Sequence, residues 1–299
     1  MGQSGSIAVT GATGFIGKRL LKYLSGEGYR TRSLHRSDVT NFNEIETEWI
    51  KGDIENENSL SSLFRGTNVC INLAGATTAV NTEEFHSANV KGVENLVSSA
   101  EQAGLDHFIH ISSQAAKRPH LSDYAASKAA GEEVLSSVKS NMKISVIRPP
   151  AVIGLGDPML KPLFGLMKRG WMPAPAEPKT GPRKFATIDV DDLVSEIVSC
   201  VEKYRGAEIQ EPCSVSSITW SDIASAASEV RGKRIRVVRI GEGTMRTYGK
   251  FSDYCSKILR KPLSISSGKV RELLTLDWTS HEVVSNATPI EQTMAKIIN

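Results

Sequence analysis

A tyrosine and a lysine stand four residues apart, at Tyr124 and Lys128, in a stretch whose composition predicts a helix. Residues at this spacing lie on one face of a helix, so the two side chains should be neighbours. A phenol with its ordinary pKa of about 10 exchanges protons poorly at neutral pH, but a nearby ammonium favours the phenolate and lowers that pKa. The pair therefore predicts a tyrosine that passes a proton to or from a substrate oxygen. The alternative is a surface tyrosine beside a solvated lysine.

A second candidate group is the hydroxyl pair Ser112-Ser113, which follows the apolar run 107–111. If that run is a strand of a parallel sheet, the serines stand at its carboxyl end, where such sheets bind ligands. A hydroxyl at this place can hydrogen-bond the same substrate oxygen as charge develops on it. The alternative role for Ser113 is a helix or turn cap.

The glycine-rich stretch Thr10–Gly17 lies between an apolar run, Ser6–Val9, and a segment with helical apolar spacing. Gly11 allows a tight turn, Gly14 lets the backbone approach a pyrophosphate, and Gly17 lets the helix pack closely on the strand. The helix N-terminus then offers unpaired N–H groups to the phosphates. This strand–turn–helix context predicts a dinucleotide site, whereas the glycines alone would fit an ordinary turn. The residues expected to contact the cofactor here are Gly11, Thr13, Gly14, Phe15, Ile16 and Gly17.

The end of the second predicted strand bears on the choice between NAD and NADP. A carboxylate there would bind the ribose 2′-hydroxyl of NAD, but the position is His35, followed by Arg36. An arginine can hold a 2′-phosphate through paired hydrogen bonds, and Lys18 or Arg19 would add positive charge. We therefore expect NADP(H) rather than NAD(H). The alternatives are that Arg36 only stacks on the adenine, or that Asp38 in the following loop takes the carboxylate's place.

The first half of the chain alternates strand and helix signals, and its strands are almost continuously apolar. Such units predict a parallel, doubly wound α/β sheet covered on both faces. The pattern changes after residue 153, where a Gly- and Pro-rich stretch resembles a lid over a cleft. We expect a dinucleotide-binding domain in 1–153, to which 185–217 returns. Residues 154–184 and 218–299 would form a smaller, mixed α/β substrate-binding part.

Composition excludes several classes of function. The 299 residues carry a net charge of +3 with no basic block, which argues against a nucleic-acid partner. Four cysteines lack metal-ligand spacing, so no metal site and a reducing, cytoplasmic compartment are expected. No apolar run approaches the ~20 residues of a transmembrane helix. A small-molecule substrate remains the natural partner.

Together these motifs resemble the short-chain dehydrogenases/reductases of the extended type, the group that contains the nucleotide-sugar epimerases and dehydratases. The resemblance covers about the first 190 residues well and the rest loosely. It implies a Rossmann fold and, as in many members, a homodimer through helices four and five. The matching segments are Thr10–Gly17, Gly52–Ile54, Asn72–Gly75, Asn89–Gly92, Asn95-Leu96, Ser112-Ser113, Tyr124–Lys128, Arg148–Gly154 and Val190–Leu193.

The resemblance assigns roles to individual residues. It makes Ser113, rather than Ser112, the active-site serine and Tyr124 the catalytic acid/base. It places Lys128 on the nicotinamide ribose, where it also tunes Tyr124, and it gives Asn89 a supporting role through water or backbone contacts. Further cofactor contacts are implied at the adenine (Asp53, Ile54), along the cofactor (Leu73, Ala74, Gly75) and at the nicotinamide amide (the turn from Pro149 to Val152).

Two departures from the family pattern bear on the substrate. Only 11 positions separate Ser113 from Tyr124, and the Tyr-Gly that follows the serine pair in sugar-modifying members is missing, which argues against a nucleotide sugar. Gln114 follows the serine pair where the dehydratases carry an acidic pair, which argues against dehydration. Segments of the tail, Gly268–Leu273 and Leu276–Trp278, resemble bacterial members thought to reduce long-chain keto-lipids.

The sequence thus predicts an NADP(H)-dependent oxidoreductase that moves hydride between nicotinamide and a hydroxyl or ketone, on a substrate that is lipid-like. The alternatives are a nucleotide-sugar epimerase with tightly bound NAD, and a non-catalytic NADPH-binding sensor or assembly subunit. Apolar residues after position 158 would either cover a greasy substrate or form the core of a small helical domain. They are Met159, Leu160, Leu163, Phe164, Met167, Trp171 and Met172.

Overall fold

The computed structural model describes residues 6–42, 44–204, 206 and 209–298. A parallel six-stranded sheet with the order β3-β2-β1-β4-β5-β6 occupies the first half of these residues. This order reverses direction beside β1, which is the topological switch point where open α/β sheets bind ligands. The predicted parallel, doubly wound sheet is therefore confirmed. Its strands are β1 (Ser6–Thr10), β2 (Thr31–His35), β3 (Glu48–Lys51), β4 (Thr67–Asn72), β5 (His107–Ile111) and β6 (Lys143–Ile147).

Helices cover both faces of this sheet, as its nearly continuous apolar strands require. One face packs against α1 (Phe15–Gly26) and α7 (Val190–Glu202), whose leucines, isoleucines and valines join those of β1, β4, β5 and β6 in one cluster. The other face packs against α2 (Glu57–Phe64), α4 (Gly92–Gln102) and α5 (Asp123–Ser136). The two layers leave the carboxyl ends of the strands as the edge at which β1, β4, β5 and β6 present their following loops.

The helical stretch between β4 and β5 contains a π-helical turn. The chain runs from α3 (Thr82–His86) through Ser87–Lys91 in π geometry into α4 without a break. Such turns insert one extra residue per turn and redirect side chains, often at functional sites. Here the turn brings Asn89 to the inside, where it is only 2% exposed.

The segment after β6 is more regular than the sequence suggested. Pro173 and Pro175 lie in a strand, β8 (Trp171–Pro175), which pairs in parallel with β12 (Arg236–Ile240). The expectation of a loop-rich lid in this stretch is therefore wrong for residues 171–175. A strand at a sheet edge accommodates prolines because their missing N–H groups are not needed by a second neighbour.

The remaining elements include a four-stranded sheet with the path β11-β9-β13, joined by β7, and a two-stranded pair of β10 with β14. Their bounds are β7 (Ala151–Ile153), α6 (Lys161–Lys168), β9 (Lys184–Asp189), β10 (Pro212–Cys213), β11 (Val215–Ile218), α8 (Trp220–Arg231), α9 (Glu242–Leu259), α10 (Ser267–Leu274), β13 (Asp277–Trp278), β14 (Glu282–Val283) and α11 (Ile290–Ile298).

Most of the apolar residues considered for a lid belong to a third core. Phe164, Met167 and Met172 are buried against α8 and α11, with Leu160 and Leu163 at the margin. Trp171 is an exception because it is 47% exposed and lies under the Arg236 guanidinium. The helical-core alternative therefore holds for five of these residues, and the domain boundaries proposed from the sequence stay a prediction.

Two glycines of α1 offer a matched test of the fold. A Cβ on Gly17 would overlap the backbone of Gly11 and Ala12, whereas one on Gly26 would meet nothing within 4 Å. We expect Gly17→Ala to lower the free energy of unfolding by about 1–3 kcal/mol, because overpacking forces the turn away from the helix. Gly26→Ala should leave it unchanged or raise it by up to about 1 kcal/mol, because alanine loses less entropy in a helix. Urea titration of both variants measures the difference; equal effects would contradict the close packing.

Candidate active site

The glycine-rich turn after β1 is shaped by direct contact with the strand beside it. Gly11 has φ +66°, and a Cβ there would lie 2.5 Å from the backbone carbonyl of Leu73, so only glycine fits. The Gly14 N–H donates to the Gly11 carbonyl at 3.0 Å, which closes the turn. Gly14 is also the N-cap of α1 and has no side chain to occupy the helix's first N–H groups, which suits a phosphate. Thr13 lies in this turn, and Ile16 is the second residue of α1.

Loop 73–76, which follows β4, is fixed by hydrogen bonds to the Asn89 side chain. The Asn89 amide accepts from the Ala76 N–H at 2.8 Å and donates to the Ala76 carbonyl and to Ser127 Oγ, both at 2.9 Å. A Cβ on Gly75 would come within 2.7 Å of Asn89 Oδ1. Asn89 thus connects the backbone of Ala76 to the Ser127 side chain on α5, and its supporting role in a reaction stays a prediction. The backbone of Leu73 and Ala74 lies directly against Gly11, so this loop is next to the glycine turn.

A buried polar chain underlies the two loops. Thr10 Oγ1 donates to Asn72 Oδ1 at 2.6 Å, and Asn72 Nδ2 lies 3.0 Å from His110 Nδ1. Burial holds the pKa of His110 well below its usual range, and the nearby Lys128 charge lowers it further, so this imidazole is neutral. A neutral ring accepts from Asn72 through Nδ1 and carries its proton on Nε2. These residues fix the ends of three neighbouring strands against one another.

Tyr124 stands at the start of α5, half-buried beside three groups that define its surroundings. Its ring lies 6.1 Å from that of Phe85, and both the Ser113 hydroxyl and the Glu272 carboxylate are close enough to shift its pKa. Burial raises the pKa of Tyr124 to about 12, Glu272 adds to this, and the Ser113 hydroxyl works in the opposite direction. The structure therefore brings Ser113 and Tyr124 together as the sequence predicted, with a phenol that is protonated at neutral pH.

Lys128 lies one turn further along α5 and is 6% exposed. Its Nζ donates to the Ile111 carbonyl at 2.9 Å, at the end of β5, and a Cβ on Gly75 would lie 3.9 Å from it. Burial lowers the pKa of Lys128 to about 8, against the pull of the Glu132 carboxylate. The expected lowering of the Tyr124 pKa by this ammonium is not found: the charge is directed at the Ile111 carbonyl and toward Gly75, and burial of the phenol dominates.

The two serines after β5 point to different partners. Ser112 Oγ donates to Glu132, whose carboxylate is held by the Arg148 guanidinium with contacts of 2.5–3.1 Å. Ser113 caps the following turn by accepting from the Ala115 N–H at 3.2 Å, and it also neighbours Tyr124. The capping alternative for Ser113 is therefore present together with the predicted placement beside the phenol.

Arg36 extends from the end of β2 into solvent. Its side chain is 81% exposed, and its Nη1 lies 3.6 Å from Asp53 Oδ2 at the end of β3. Lys18 lies over the Phe42 ring at 4.8 Å, and Phe42 contacts Trp49, whose ring also contacts His35 at the end of β2. Arg19, considered as a further phosphate contact, instead forms an ion pair with Asp191 on α7. Arg36 and Lys18 thus remain the basic groups beside the predicted adenosine end.

The segment after β6 contacts both the serine pair and the start of α1. The Pro149 carbonyl accepts from the Gln114 N–H at 3.0 Å, which places this turn next to the serine pair. Val152 follows in β7, and a Cβ on Gly154 would lie 3.1 Å from the ring of Phe15 at the start of α1. Ile54 lies apart from these, below α4, where a Cβ on Gly92 would overlap it and Asn95 donates to its carbonyl at 3.2 Å.

Two carboxylates near the site were missed from the sequence. Glu132 stands four residues after Lys128, so helical spacing could have suggested it. Glu272 is 7% exposed and accepts from Ser122 Oγ at 2.5 Å and from Lys269 Nζ at 2.9 Å. It comes from α10, nearly 150 residues downstream, and only the packing of α10 on the start of α5 brings it to Tyr124. Spacing along the chain carries no signal for such a contact.

The profile of the NAD dependent epimerase/dehydratase family matches residues 7–214, which include the glycine turn, the serines and the Tyr124–Lys128 pair. The chain belongs to this family. It is therefore an NAD(P)-dependent enzyme of the short-chain dehydrogenase/reductase type, an oxidoreductase or an epimerase. The likeness stated from the motifs is confirmed.

Relatives and solved structures agree with this assignment. Ceramide reductase of Caulobacter vibrioides is 34% identical over 278 residues, which span 92% of this chain and 86% of that protein. A 4-hydroxy-2-methyl-3-oxo-4-farnesyl-3,4-dihydroquinoline-1-oxide ketoreductase of Stigmatella aurantiaca is 30% identical over 52% of each chain. UDP-glucuronic acid 4-epimerase from Bacillus cereus, solved with NAD, superposes with a TM-score of 0.72 at 19% identity, covering 97% of this chain and 94% of that one, and so shares the fold.

Within the described ranges, no helix is both long and apolar enough to pass through a bilayer. The same residues contain no group of three or more histidine, cysteine or acidic side chains arranged to hold a metal ion.

The buried ammonium of Lys128 predicts a pH-dependent stability. Its pKa in the folded chain is about 8 against an ordinary 10.5, so the unfolded state binds more protons between these values. The charge costs about 3 kcal/mol below pH 8, and this cost disappears as the pH rises to 10.5. The free energy of unfolding of the wild type should therefore rise relative to that of Lys128→Met across this window. Urea titrations at several pH values measure the difference.

The control is Lys22→Met, which removes an exposed lysine from α1. Its stability should follow the wild type at every pH. A wild-type curve parallel to that of Lys128→Met from pH 7 to 10.5 would contradict a buried, destabilised ammonium.

Proposed function

We propose that this protein is an NADP(H)-dependent reductase that converts a ketone in a ceramide-like, long-chain lipid to the corresponding alcohol. The observation that carries the proposal is the group formed by Ser113, Tyr124 and Lys128 at the carboxyl end of the sheet, beside the glycine turn. It combines a proton source, a hydrogen-bond donor and a cation along one crevice. The bound dinucleotide supplies the hydride; this chain's residues supply geometry, charge and the proton.

Tyr124 acts as the acid in this scheme. A substrate carbonyl oxygen placed beside the phenol receives its proton as the carbonyl carbon receives the hydride, so that ketone, reduced cofactor and proton give alcohol and oxidised cofactor. Ser113 donates to the same oxygen as negative charge develops on it. Burial raises the pKa of Tyr124 to about 12, so at neutral pH the phenol holds the proton that reduction of a ketone requires.

Lys128 has a positioning and binding role. Its Nζ lies between the end of β5 and loop 73–76, where the ribose of a dinucleotide bound on the glycine turn would lie. A pKa of about 8 leaves it charged at neutral pH and able to donate to ribose hydroxyls. Pro149 and Val152 would then border the nicotinamide, and Leu73, Ala74 and Gly75 the middle of the cofactor.

Arg36 supports NADP(H) over NAD(H). Its pairing with Asp53 is long, at 3.6 Å, and its side chain is 81% exposed, so it can turn to a 2′-phosphate at little cost. Lys18 adds a second cation on that side. Asp53 and Ile54 would border the adenine ring.

Two independent observations support this substrate class. The Caulobacter relative that aligns with 92% of this chain is named a ceramide reductase. The segment between the serines and Tyr124 is short and lacks the Tyr-Gly typical of sugar-modifying members, which argues against a nucleotide sugar. A homodimer and a cytoplasmic location remain predictions.

Tyr124→Phe tests the proton transfer. We expect kcat for reduction of a ketone-bearing ceramide by NADPH to decrease by about 10²–10⁴-fold, because the general acid is removed. Thermal stabilisation by NADPH should be unchanged, since the ring and its packing stay. Tyr23→Phe, on the exposed side of α1, is the matched control and should retain full activity. The assay monitors the nicotinamide absorbance with lipid dispersed in detergent.

Other outcomes of this assay separate the alternatives. Tightly bound NAD in the purified protein, with turnover of a nucleotide sugar and no net cofactor consumption, would indicate an epimerase. Cofactor binding without turnover of any ketone, in the wild type as in Tyr124→Phe, would indicate a non-catalytic NADPH-binding subunit. Either result would overturn the proposed reaction.

Arg36→Ala tests the cofactor preference. Loss of a charge-assisted contact to the 2′-phosphate should weaken NADPH binding roughly tenfold or more and leave NADH binding unchanged. Arg65→Ala, which removes an exposed arginine after α2, is the control and should alter neither. Calorimetric titration of both cofactors gives the affinities; tighter binding of NADH than of NADPH by the wild type would refute the preference.

A further inference from the structure

Helix α9 carries a row of large apolar side chains that face away from the protein. Phe251, Tyr254 and Ile258 follow one another at spacings of three and four residues, which places them on one helix face. They are 62%, 64% and 63% exposed, and Tyr248 and Leu259 extend the row at 52% and 63%. Exposed apolar residues usually occur singly, so a row along one helix indicates an interaction surface. We call these five residues the α9 apolar row.

A basic flank runs beside this row. Arg246, Lys250 and Lys257 are exposed and recur at spacings of four and seven residues, on the next strip of the helix. Arg260 and Lys261 continue the positive charge past the end of α9. Of the two acidic residues of the helix, Glu242 pairs with the buried Arg183 and lies 3.6 Å from Arg246, and Asp253 accepts from the Ser267 N–H, so Lys250 and Lys257 form the part of the flank that the helix's own carboxylates leave uncompensated.

The third side of α9 is the one that attaches it to the protein. Gly249, Ser252 and Ser256 are buried there, and a Cβ on Gly249 would lie 3.0 Å from Ser267 of α10. Small residues on this side let the two helices approach closely, while every large apolar residue of the row points outward. Burial against the protein therefore does not account for the row.

We propose that α9 is an interfacial helix that binds the surface of an anionic lipid bilayer. An apolar strip bordered by lysine and arginine lets a helix lie in the plane of the interface, with aromatic and aliphatic side chains among the acyl chains and cations at the phosphates. Lysine and arginine extend along apolar surface with their charges in water, which suits the flank. A second copy of the chain fits less well, because a two-fold contact through the row would bring basic flank against basic flank.

The α9 apolar row is connected to the candidate active site through α10. α9 packs on α10, and α10 contacts the start of α5: Glu272 accepts from Ser122, and Arg271 Nε donates to the Leu121 carbonyl at 2.5 Å. Tyr124 lies two residues after Ser122. A bilayer held by α9 would thus lie on the side of the protein where α10 borders the catalytic tyrosine. This delivery of lipid substrate rests on the proposed function; the binding of α9 to lipid does not.

Vesicle flotation of the full chain tests the binding without cofactor or substrate. We expect the wild type to float with phosphatidylcholine vesicles that contain phosphatidylglycerol, and less with phosphatidylcholine alone or at high salt. Phe251→Ser with Ile258→Ser should weaken partitioning by at least about tenfold, since each side chain loses its transfer into the apolar layer. Lys250→Gln with Lys257→Gln should reduce the dependence on anionic lipid and on salt, because two of the five cations of the flank and helix end are removed.

The controls keep the outcomes separate. Tyr23→Ser with Lys22→Gln changes an exposed aromatic and a lysine on α1 and should bind vesicles as the wild type does. Unaltered melting temperatures show that the α9 variants are folded. If the wild type does not float with vesicles of any composition, the proposal is overturned. It is also overturned if sedimentation shows a self-association that the Phe251 and Ile258 changes abolish while lipid binding stays the same. Vesicle binding without ketone reduction would refute only the proposed function.

Discussion

The hydrogen bond from Lys128 Nζ to the Ile111 carbonyl joins α5 to the carboxyl end of the central sheet, and the geometry of the site depends on it. A backbone carbonyl at the end of β5 and a buried ammonium one helical turn below Tyr124 set how close the phenol stands to Ser113. Asn89 strengthens the same junction from the other side by bonding both Ser127 and Ala76. Helix, strand end and loop 73–76 are therefore held as one unit before any ligand is present.

The buried ammonium of Lys128 lowers the free energy of unfolding while it is charged. Burying an ammonium beside only one carbonyl and at a distance from the Glu132 carboxylate lowers its pKa, so the folded chain carries a charge that it would be more stable without. The Glu132 carboxylate forms an ion pair with the Arg148 guanidinium and also accepts a hydrogen bond from Ser112 Oγ. The ion pair thus stabilises the base of the site, whereas the Lys128 ammonium donates to a backbone carbonyl.

The C-terminal part contributes to the site through two helices with different surfaces. Burial raises the pKa of Tyr124, and α10 adds to this by bringing the Glu272 carboxylate to the start of α5, so a segment outside the central sheet contributes to the acid strength of the phenol. α9 is attached to α10 by small residues and leaves its large apolar side chains outside. In an enzyme family whose members act on very different molecules, such peripheral helices are where one chain can differ from another without altering the chemistry.

Local patterns were sufficient for the sheet and for the order of the reacting groups. The glycine turn, the serine pair and the Tyr124–Lys128 spacing each depend on a few consecutive residues, and apolar strand–helix alternation leaves few topologies. Predictions from local pattern were wrong where a distant segment decides the structure. Residues Trp171–Pro175 form a strand, not a loop, because β12 pairs with them. Arg19 forms an ion pair with Asp191 on α7 and is not directed at the predicted phosphate site. What sequence determined by itself was which chemical groups this protein has and the fold that gathers them. Only the tertiary structure decided their protonation and their neighbours, because burial and charge from elements such as α10 act through space rather than along the chain.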